Sequence, residues 1–202
     1  MLNSLARRIA NFILTQKSIE ENMFSIYIYG IELLISSVLG VLLVVVVGLV
    51  LGRFIDSLLF LLSFIFLRKY TGGLHCNSYT ACNVMTVLTF VVAVELAGLI
   101  NYFSHKLLLL ALMVVFIDFV ILLLTPVSNP NKPVLLQDRV KYKAIAIIIF
   151  SFHLGVMILL KNYINTEIIL VTDFITCVYV ILGLIKNKKE RSFTNEDQKS
   201  NG

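Results

Sequence analysis

Long apolar segments, separated by short polar loops, dominate the sequence. Residues 33–51 contain no Lys, Arg, Asp or Glu, and as a helix they are long enough to cross the ~30 Å hydrocarbon core of a bilayer. Comparable apolar segments follow it along the chain. We therefore predict an all-α polytopic membrane protein with six transmembrane helices, at residues 29–51, 54–67, 84–103, 107–124, 144–160 and 168–185.

The second predicted helix is the shortest, and the topology depends on it. Residues 54–67 carry one charged residue, Asp56, near their start, and they span a bilayer only if Gly52 and residues 68–70 lie near the two interfaces. If this segment did not span, every later helix would have the opposite orientation.

The distribution of basic residues supports six spans. With the N-terminus inside, the outer side keeps only Arg53, Lys106 and Lys161 of the seventeen Lys and Arg residues. The positive-inside rule predicts this asymmetry for a protein with both termini in the cytoplasm. Residues 68–82 and the loop at residues 125–143 then both face the cytoplasm.

The N-terminal region differs from the six spans. Its apolar residues are spaced three or four apart, which predicts an amphipathic helix on the inner membrane surface over residues 1–26; the stripe consists of Leu2, Leu5, Ile9, Phe12 and Ile13. The six-helix membrane part covers residues 27–185, and the polar residues 186–202 predict a disordered cytoplasmic tail. We expect one membrane domain over the whole of residues 1–202.

Composition agrees with this class. The chain is 58% hydrophobic and 14% charged, with a mean hydropathy of +0.92, whereas a soluble domain is about half apolar and a quarter charged. The net charge of +5 does not indicate nucleic-acid binding, because the basic residues lie between membrane spans and not on one soluble face. Three cysteines do not make a disulfide framework.

One polar segment, residues 68–82, concentrates the candidate chemistry. His75 and Cys82 are about 10 Å apart along the axis of a continuous helix, so they can meet only if His75 lies on a loop that folds back. Gly72 and Gly73 give the backbone that freedom. Asn77 or Ser78 is a suitable N-cap for the third span, which places Cys82 near a helix start where positive partial charge favours a thiolate. A thiolate beside an imidazole is the requirement for cysteine nucleophilic catalysis.

Other interpretations of these residues remain open. Free cysteines commonly behave as small buried hydrophobic residues, so Cys82 could be a packing residue and His75 an interfacial one. Cys76 is a competing nucleophile, although next to His75 its side chain points elsewhere in a regular backbone. A metal site made of His75, Cys76 and Cys82 lacks a fourth ligand. Cys177 lies inside the sixth span and is predicted to be a packing residue.

Acidic residues inside the spans suggest a different class of function. Glu95 and Asp118 lie near the middle of the third and fourth spans, where each costs a few kcal/mol unless it faces the protein interior or a wet cavity. They predict either a proton or substrate path, as in a small proton-coupled transporter, or a protonated, hydrogen-bonded pair between helices. For Glu32, His153 and Asp173 we favour the structural role. A non-catalytic membrane scaffold is the third possibility.

The pattern Arg68-x-x-x-Gly72-Gly73-x-His75-x-x-x-x-x-x-Cys82 resembles the motif of the accessory gene regulator B family. These proteins are membrane-embedded cysteine endopeptidases that process bacterial autoinducer peptide precursors. The resemblance extends to the short apolar segment before the motif and to the proline-containing loop with its basic end. It implies that Cys82 is the nucleophile and His75 its base, and it implies substrate-binding positions at Arg68, Gly73, Arg139, Lys141 and Lys143. Cys76 has no role in the pattern.

The resemblance also implies a reaction. Cys82 would attack a backbone carbonyl of a short precursor with an acidic C-terminal tail, release that tail, and leave an acyl-thioester. A Cys or Ser within the precursor would then displace Cys82 and close a thiolactone or lactone ring, without ATP, metal or other cofactor. The expected setting is the cell membrane of a Gram-positive bacterium, with the active site facing the cytoplasm and the protein forming a homodimer.

Overall fold

A computed structural model describes residues 8, 24–74, 76, 78–128 and 134–200, with the backbone alone at 24–25 and 190–200. Six α-helices follow one another: α1 (Phe24–Val50), α2 (Phe54–Thr71), α3 (Tyr79–Ile100), α4 (Lys106–Leu124), α5 (Arg139–Leu160) and α6 (Glu167–Ser200). A short 3-10 helix, Leu136–Asp138, precedes α5. The described residues contain no named strand, which confirms the all-α prediction.

Five of these helices, α1 and α3 to α6, are long and apolar enough to cross a membrane. The sequence predicted six spans. The difference is α2, whose 18 residues include Asp56, Arg68 and Lys69. The predicted interfacial helix over residues 1–26 falls almost wholly outside the described residues, which include only Arg8 and 24–26 of that range.

α6 lies at the centre of the bundle and packs against α2, α3, α4 and α5. It carries buried polar residues, and two of them bond within the helix: Thr172 Oγ1 donates to the Ile168 carbonyl at 2.6 Å, and Thr176 Oγ1 donates to the Thr172 carbonyl at 2.8 Å. These bonds satisfy hydroxyl groups that would be costly to bury unpaired.

Large apolar side chains fill the space between α2, α3 and α6. Phe60 and Phe90 are fully buried, and their ring centroids are 5.4 Å apart. Phe64 stacks on Phe60 and meets the edge of Tyr179. This aromatic cluster fixes α2 against α6 just below the segment that contains the motif.

One end of the bundle, which we call the motif end, gathers the starts of α1, α3 and α5 with the C-terminal parts of α2, α4 and α6. Tyr79, the first residue of α3, interacts with Glu32 near the start of α1. The segment after α4 reaches the end of α2, where the Val127 amide donates to the Thr71 carbonyl at 2.9 Å. Asn187 of α6 donates to the carbonyl of Ser128 at 2.7 Å.

The opposite end joins the remaining helix termini. Lys106 at the start of α4 forms an ion pair with Glu167 at the start of α6. Gly48 of α1 approaches α2 so closely that an added Cβ would lie 2.6 Å from the Ser57 Cβ. Consecutive helices therefore run in alternating directions through the bundle.

The C-terminal part of α6 differs from the prediction of a disordered tail over residues 186–202. The helix continues to Ser200. No glycine or proline occurs between Ile185 and Ser200, and the Lys, Glu, Arg and Gln residues there are good helix formers. Polar composition alone therefore did not indicate where the helix ends.

Candidate active site

The motif segment leaves α2 through two glycines with left-handed backbone. Gly72 has φ +75° and Gly73 has φ +122°, a region that side-chain-bearing residues rarely adopt. The Gly72 amide donates to the Arg68 carbonyl at 3.1 Å as the helix ends. The diglycine thus turns the chain out of the helix, as the sequence predicted.

Backbone contacts hold the loop on two sides. The segment after α4 bonds to Thr71 as described above, and the Leu74 amide donates to the carbonyl of Tyr179 in α6 at 2.9 Å. A Cβ on Gly73 would lie 2.8 Å from the Tyr179 oxygen, and a Cβ on Gly183 would lie 2.6 Å from the Gly73 carbonyl carbon. The loop can therefore reach α6 only if both positions are glycine. Sequence reasoning missed Gly183, because nothing local distinguishes it from other helical glycines.

Arg68 lies beneath this loop. Its Nη2 donates to the Leu74 carbonyl, and its guanidinium carbon lies 5.2 Å from the ring centroid of Phe64 and 5.0 Å from that of Tyr179. Its Nη1 is buried and has no hydrogen-bond partner among the described residues. Arg68 is thus half-buried between two aromatic rings and the loop, at a position that the family resemblance assigns to substrate binding.

Cys82 lies at the start of α3, which begins as predicted. Ser78 is the N-cap: its Oγ accepts from the Ala81 amide at 3.2 Å. The Cys82 amide donates to the Ser78 carbonyl at 3.0 Å, as the first helical bond of that turn. The helix start and its partial positive charge are therefore one turn from the thiol.

Cys82 and Arg68 line the same small cavity, of about 50 Å³. The other residues lining it are Phe64, Leu74, Cys76, Met85, Thr86, Thr89 and Tyr179. Arg68 is close enough to Cys82 and Cys76 to interact with both electrostatically. The Cys82 side chain is exposed, and the positive charge of Arg68 can stabilise a thiolate there.

Cys76 lines the cavity beside Cys82 and is half-buried. The sequence interpretation set Cys76 aside because it adjoins His75, but the turn at the diglycine brings it to the same cavity. His75 itself lies outside the described residues; its neighbours Leu74 and Cys76 both line the cavity that contains Cys82. Cys177 is fully buried, in agreement with its predicted packing role.

Hydroxyl groups on α3 and α6 complete the cavity wall. Thr89 Oγ1 and the Tyr179 hydroxyl are 2.6 Å apart, and Thr86 Oγ1 donates to the Cys82 carbonyl at 2.9 Å. Thr86 and Thr89 lie one and two turns after Cys82 on α3, whereas Tyr179 is about a hundred residues away, on α6. Sequence reasoning missed them, because Thr and Tyr in an apolar helix resemble ordinary span residues.

A second, larger cavity of about 620 Å³ opens at the motif end. It is bounded by the segment after α4 and by α5 and α6. Its lining includes the basic residues Arg139, Lys143 and Lys188 and the apolar residues Leu123, Val127, Val140 and Leu184. Lys143 Nζ also donates to the Leu122 carbonyl at 2.6 Å. Lys141 is exposed and is not among the residues that line this cavity.

Among the acidic residues Glu95 of α3, Asp118 of α4 and Asp173 of α6, the structure buries Asp173. His153 Nδ1 lies 2.9 Å from Asp173 Oδ2, in a buried pair between α5 and α6. Glu95 and Asp118 are instead exposed on the outer faces of α3 and α4. The interhelical pair considered for Glu95 and Asp118 is therefore made by His153 and Asp173.

Comparison with known proteins gives consistent results. The family model described as Accessory gene regulator B matches residues 6–185. An AgrB-like protein of Clostridium perfringens (strain SM101 / Type A) is 24% identical over 97% of this chain and 99% of its own length. AgrB-like protein 2 of Clostridium perfringens (strain 13 / Type A) is 27% identical over 70% of this chain and 68% of its own length. An AgrB-like protein of Listeria monocytogenes is 30% identical over 44% of this chain and 45% of its own length. No solved structure matches.

Proposed function

The chain belongs to the accessory gene regulator B family, which implies a part in autoinducing-peptide processing, and we propose that it is a membrane cysteine endopeptidase that also cyclises its product. The observation that carries this proposal is the cavity in which Cys82, at the start of α3, meets Arg68 and the two described neighbours of His75. A nucleophile beside a cation, in a cavity that both neighbours of the candidate base also line, supports acyl transfer.

The proposed reaction has two steps. Cys82 Sγ attacks a precursor carbonyl, its proton passes to His75, and the tail leaves as an amine that takes the proton. The acyl group then remains on Cys82 as a thioester. A Cys or Ser of the precursor attacks that thioester, releases the Cys82 thiol and closes a thiolactone or lactone ring. Because the thioester retains the acyl-transfer potential, ring closure needs no ATP.

Six membrane spans are part of the proposal, with α2 as the sixth. Because α1 and α3 both begin at the motif end, a chain that crosses the membrane along α1 must return along α2. As a helix of 18 residues, α2 is about 27 Å long, close to the hydrocarbon thickness. Arg68 lies against the rings of Phe64 and Tyr179 and Asp56 pairs with Arg53, which lowers the cost of charge in this span.

The proposed orientation places the motif end in the cytoplasm of a Gram-positive bacterium. The described basic residues at that end outnumber the three at the other end, Arg53, Lys106 and Lys161, and the positive-inside rule favours this orientation. The cytoplasm would also keep Cys82 reduced.

We assign the acidic tail of the precursor to the larger cavity. Arg139, Lys143 and Lys188 provide positive charge in its lining, and its apolar lining residues suit the hydrophobic residues of a membrane-bound peptide. Lys141, on the same helix, would attract the tail from outside the cavity. Gly73 would contribute to substrate binding indirectly, because it allows the loop to pack against α6.

A homodimer is proposed from the exposed acids. Glu95 and Asp118 lie on outer faces of spanning helices, where contact with lipid would be costly and contact with a second copy would not. Light scattering of the detergent-solubilised chain is expected to give the mass of two copies, and a monomer at all concentrations would contradict this.

The test of the proposed activity is trapping of the acyl-enzyme. The protein is co-expressed with a candidate precursor, a short peptide encoded beside this gene with an internal Cys and an acidic tail. Mass spectrometry is expected to find the precursor's N-terminal fragment attached to Cys82, and to find no such adduct in Cys82→Ala. Cleavage that persists in Cys82→Ala would refute the proposal.

A further inference from the structure

The guanidinium of Arg68 has one nitrogen that the described structure leaves unused. Nη2 donates to the Leu74 carbonyl, while Nη1 is buried and without a hydrogen-bond partner among the described residues. Native proteins pair nearly all of their buried polar groups, so an exception calls for an explanation. A ligand that accepts a hydrogen bond from this nitrogen would supply one.

The surroundings of Arg68 hold the guanidinium in place. The aromatic rings of Phe64 and Tyr179 lie against it at 5.2 and 5.0 Å, and the bond to Leu74 fixes one side of the planar group. Because a guanidinium is rigid, fixing one nitrogen also fixes the direction of the other. A donor held in this way needs no reorganisation when charge develops nearby.

The amides of Cys82 and of Ala81 before it already have acceptors. The Cys82 amide donates to the Ser78 carbonyl and the Ala81 amide donates to Ser78 Oγ. The Thr86 hydroxyl donates to the Cys82 carbonyl. Arg68, by contrast, lines the cavity that contains Cys82, and its buried Nη1 has no partner among the described residues.

We propose that Arg68 Nη1 is the oxyanion donor of the acyl-transfer reaction, which deepens the proposed function and rests on it. As Cys82 Sγ bonds to the carbonyl carbon, the π electrons of the C=O bond move onto oxygen, and Nη1 donates a hydrogen bond to that negative oxygen. When the tetrahedral intermediate collapses, the C=O bond re-forms and the C–N bond breaks. The guanidinium remains protonated throughout.

Two small reagents separate this role from a general effect on the thiol. p-Nitrophenyl acetate acetylates Cys82 through a tetrahedral oxyanion, whereas iodoacetamide alkylates Cys82 by displacing iodide and forms no oxyanion. Both reactions need the thiolate. The rates of both at Cys82 are measured on the detergent-solubilised full chain, by mass spectrometry of the peptide that contains Cys82.

Arg68→Lys keeps the positive charge but loses the rigid two-nitrogen group. Acetylation is expected to slow about 100-fold, the usual cost of one oxyanion donor, while alkylation changes by roughly threefold or less because the charge is retained. Lys69→Gln, the neighbouring basic position, is the matched control and should leave both rates unchanged. A parallel loss of both rates in Arg68→Lys, or no loss of acetylation, would overturn the inference.

Chemical rescue provides a second measurement that does not depend on how lysine packs. In Arg68→Ala, methylguanidinium is expected to restore acetylation more than alkylation, and methylammonium is expected to restore neither. Equal restoration of both reactions, or of neither, would argue against an oxyanion role. If the proposed function were wrong but the role of Arg68 right, the result would differ. Acetylation of Cys82 would still depend on Arg68, but no precursor thioester would form on Cys82.

Discussion

The two cavities at the motif end hold their cations in opposite ways. Beside Cys82, the half-buried Arg68 lies against two aromatic rings and is bonded to the loop, at a cavity of about 50 Å³. The larger cavity, of about 620 Å³, is lined by several cations, of which Arg139 and Lys188 are exposed. A charge held in place by its neighbours acts strongly on nearby atoms, whereas exposed charges are screened by water and salt. The first arrangement suits bond-making chemistry and the second suits recognition of an acidic chain.

The largest effect is expected in the small cavity, where Cys82 is the proposed nucleophile. Cys82→Ala is expected to abolish precursor cleavage, because no acyl-thioester can form, while Cys76→Ala leaves cleavage nearly intact. Peptide products are quantified by mass spectrometry after co-expression. Equal losses in the two variants would mean that both thiols of the small cavity take part.

A second prediction concerns the contact between the loop and α6. Gly73→Ala adds a Cβ at φ +122°, 2.8 Å from the Tyr179 oxygen, and backbone strain of this kind costs about 1–3 kcal/mol. Cleavage is expected to fall about tenfold or more, and Gly183→Ala should have a similar effect.

The matched control for the glycine variants is Gly98→Ala, since a Cβ at Gly98 meets nothing within 4 Å. It should retain full activity and the same melting temperature in detergent. Activity retained in Gly73→Ala would show that the loop can function away from α6.

A smaller effect is expected from the ring that holds Arg68. Tyr179→Leu removes a cation–π contact that contributes about 0.5–2 kcal/mol, so acetylation of Cys82 by p-nitrophenyl acetate should slow several-fold. Tyr179→Phe keeps the ring and loses only the bond to Thr89, and it should remain closer to the wild-type rate. If acetylation were slower in Tyr179→Phe than in Tyr179→Leu, the hydroxyl group and not the ring would be responsible.

The smallest effects are expected in the larger cavity. Arg139→Gln or Lys188→Gln removes one exposed charge, and such pairs contribute about 0.2–1 kcal/mol, so KM for the precursor should rise a few-fold with kcat unchanged. Added salt should reduce the difference from wild type. A fall in kcat instead would place these cations near the reacting atoms.

Much of the fold could be predicted because it depends on local composition. Apolar runs long enough for a bilayer predicted where the helices lie, and Ser78 was recognisable as an N-cap before the third of them. α2 was harder to predict as a span, because Asp56 and Arg68 make it less apolar. Only the packing of the other helices shows how those side chains are accommodated. The end of α6 was also missed, because polar composition does not distinguish a helix from a disordered tail.

The candidate site was predictable only in part. The sequence identified Cys82, Arg68 and the diglycine, since they occur within fifteen consecutive residues. It did not identify Tyr179, Gly183 or Val127, which lie fifty or more residues from the loop they contact.

The sequence by itself determined that this is a helical membrane protein with a polar, cysteine-containing segment between two of its helices. Hydrophobicity and turn preference act over a few residues, so they can be recognised without a fold. Only the tertiary structure decided that Arg68 lies against Tyr179, that Cys76 shares a cavity with Cys82, and that Gly73 contacts α6. Those contacts join separate helices, and they exist only because the helices pack closely enough for backbone to touch backbone.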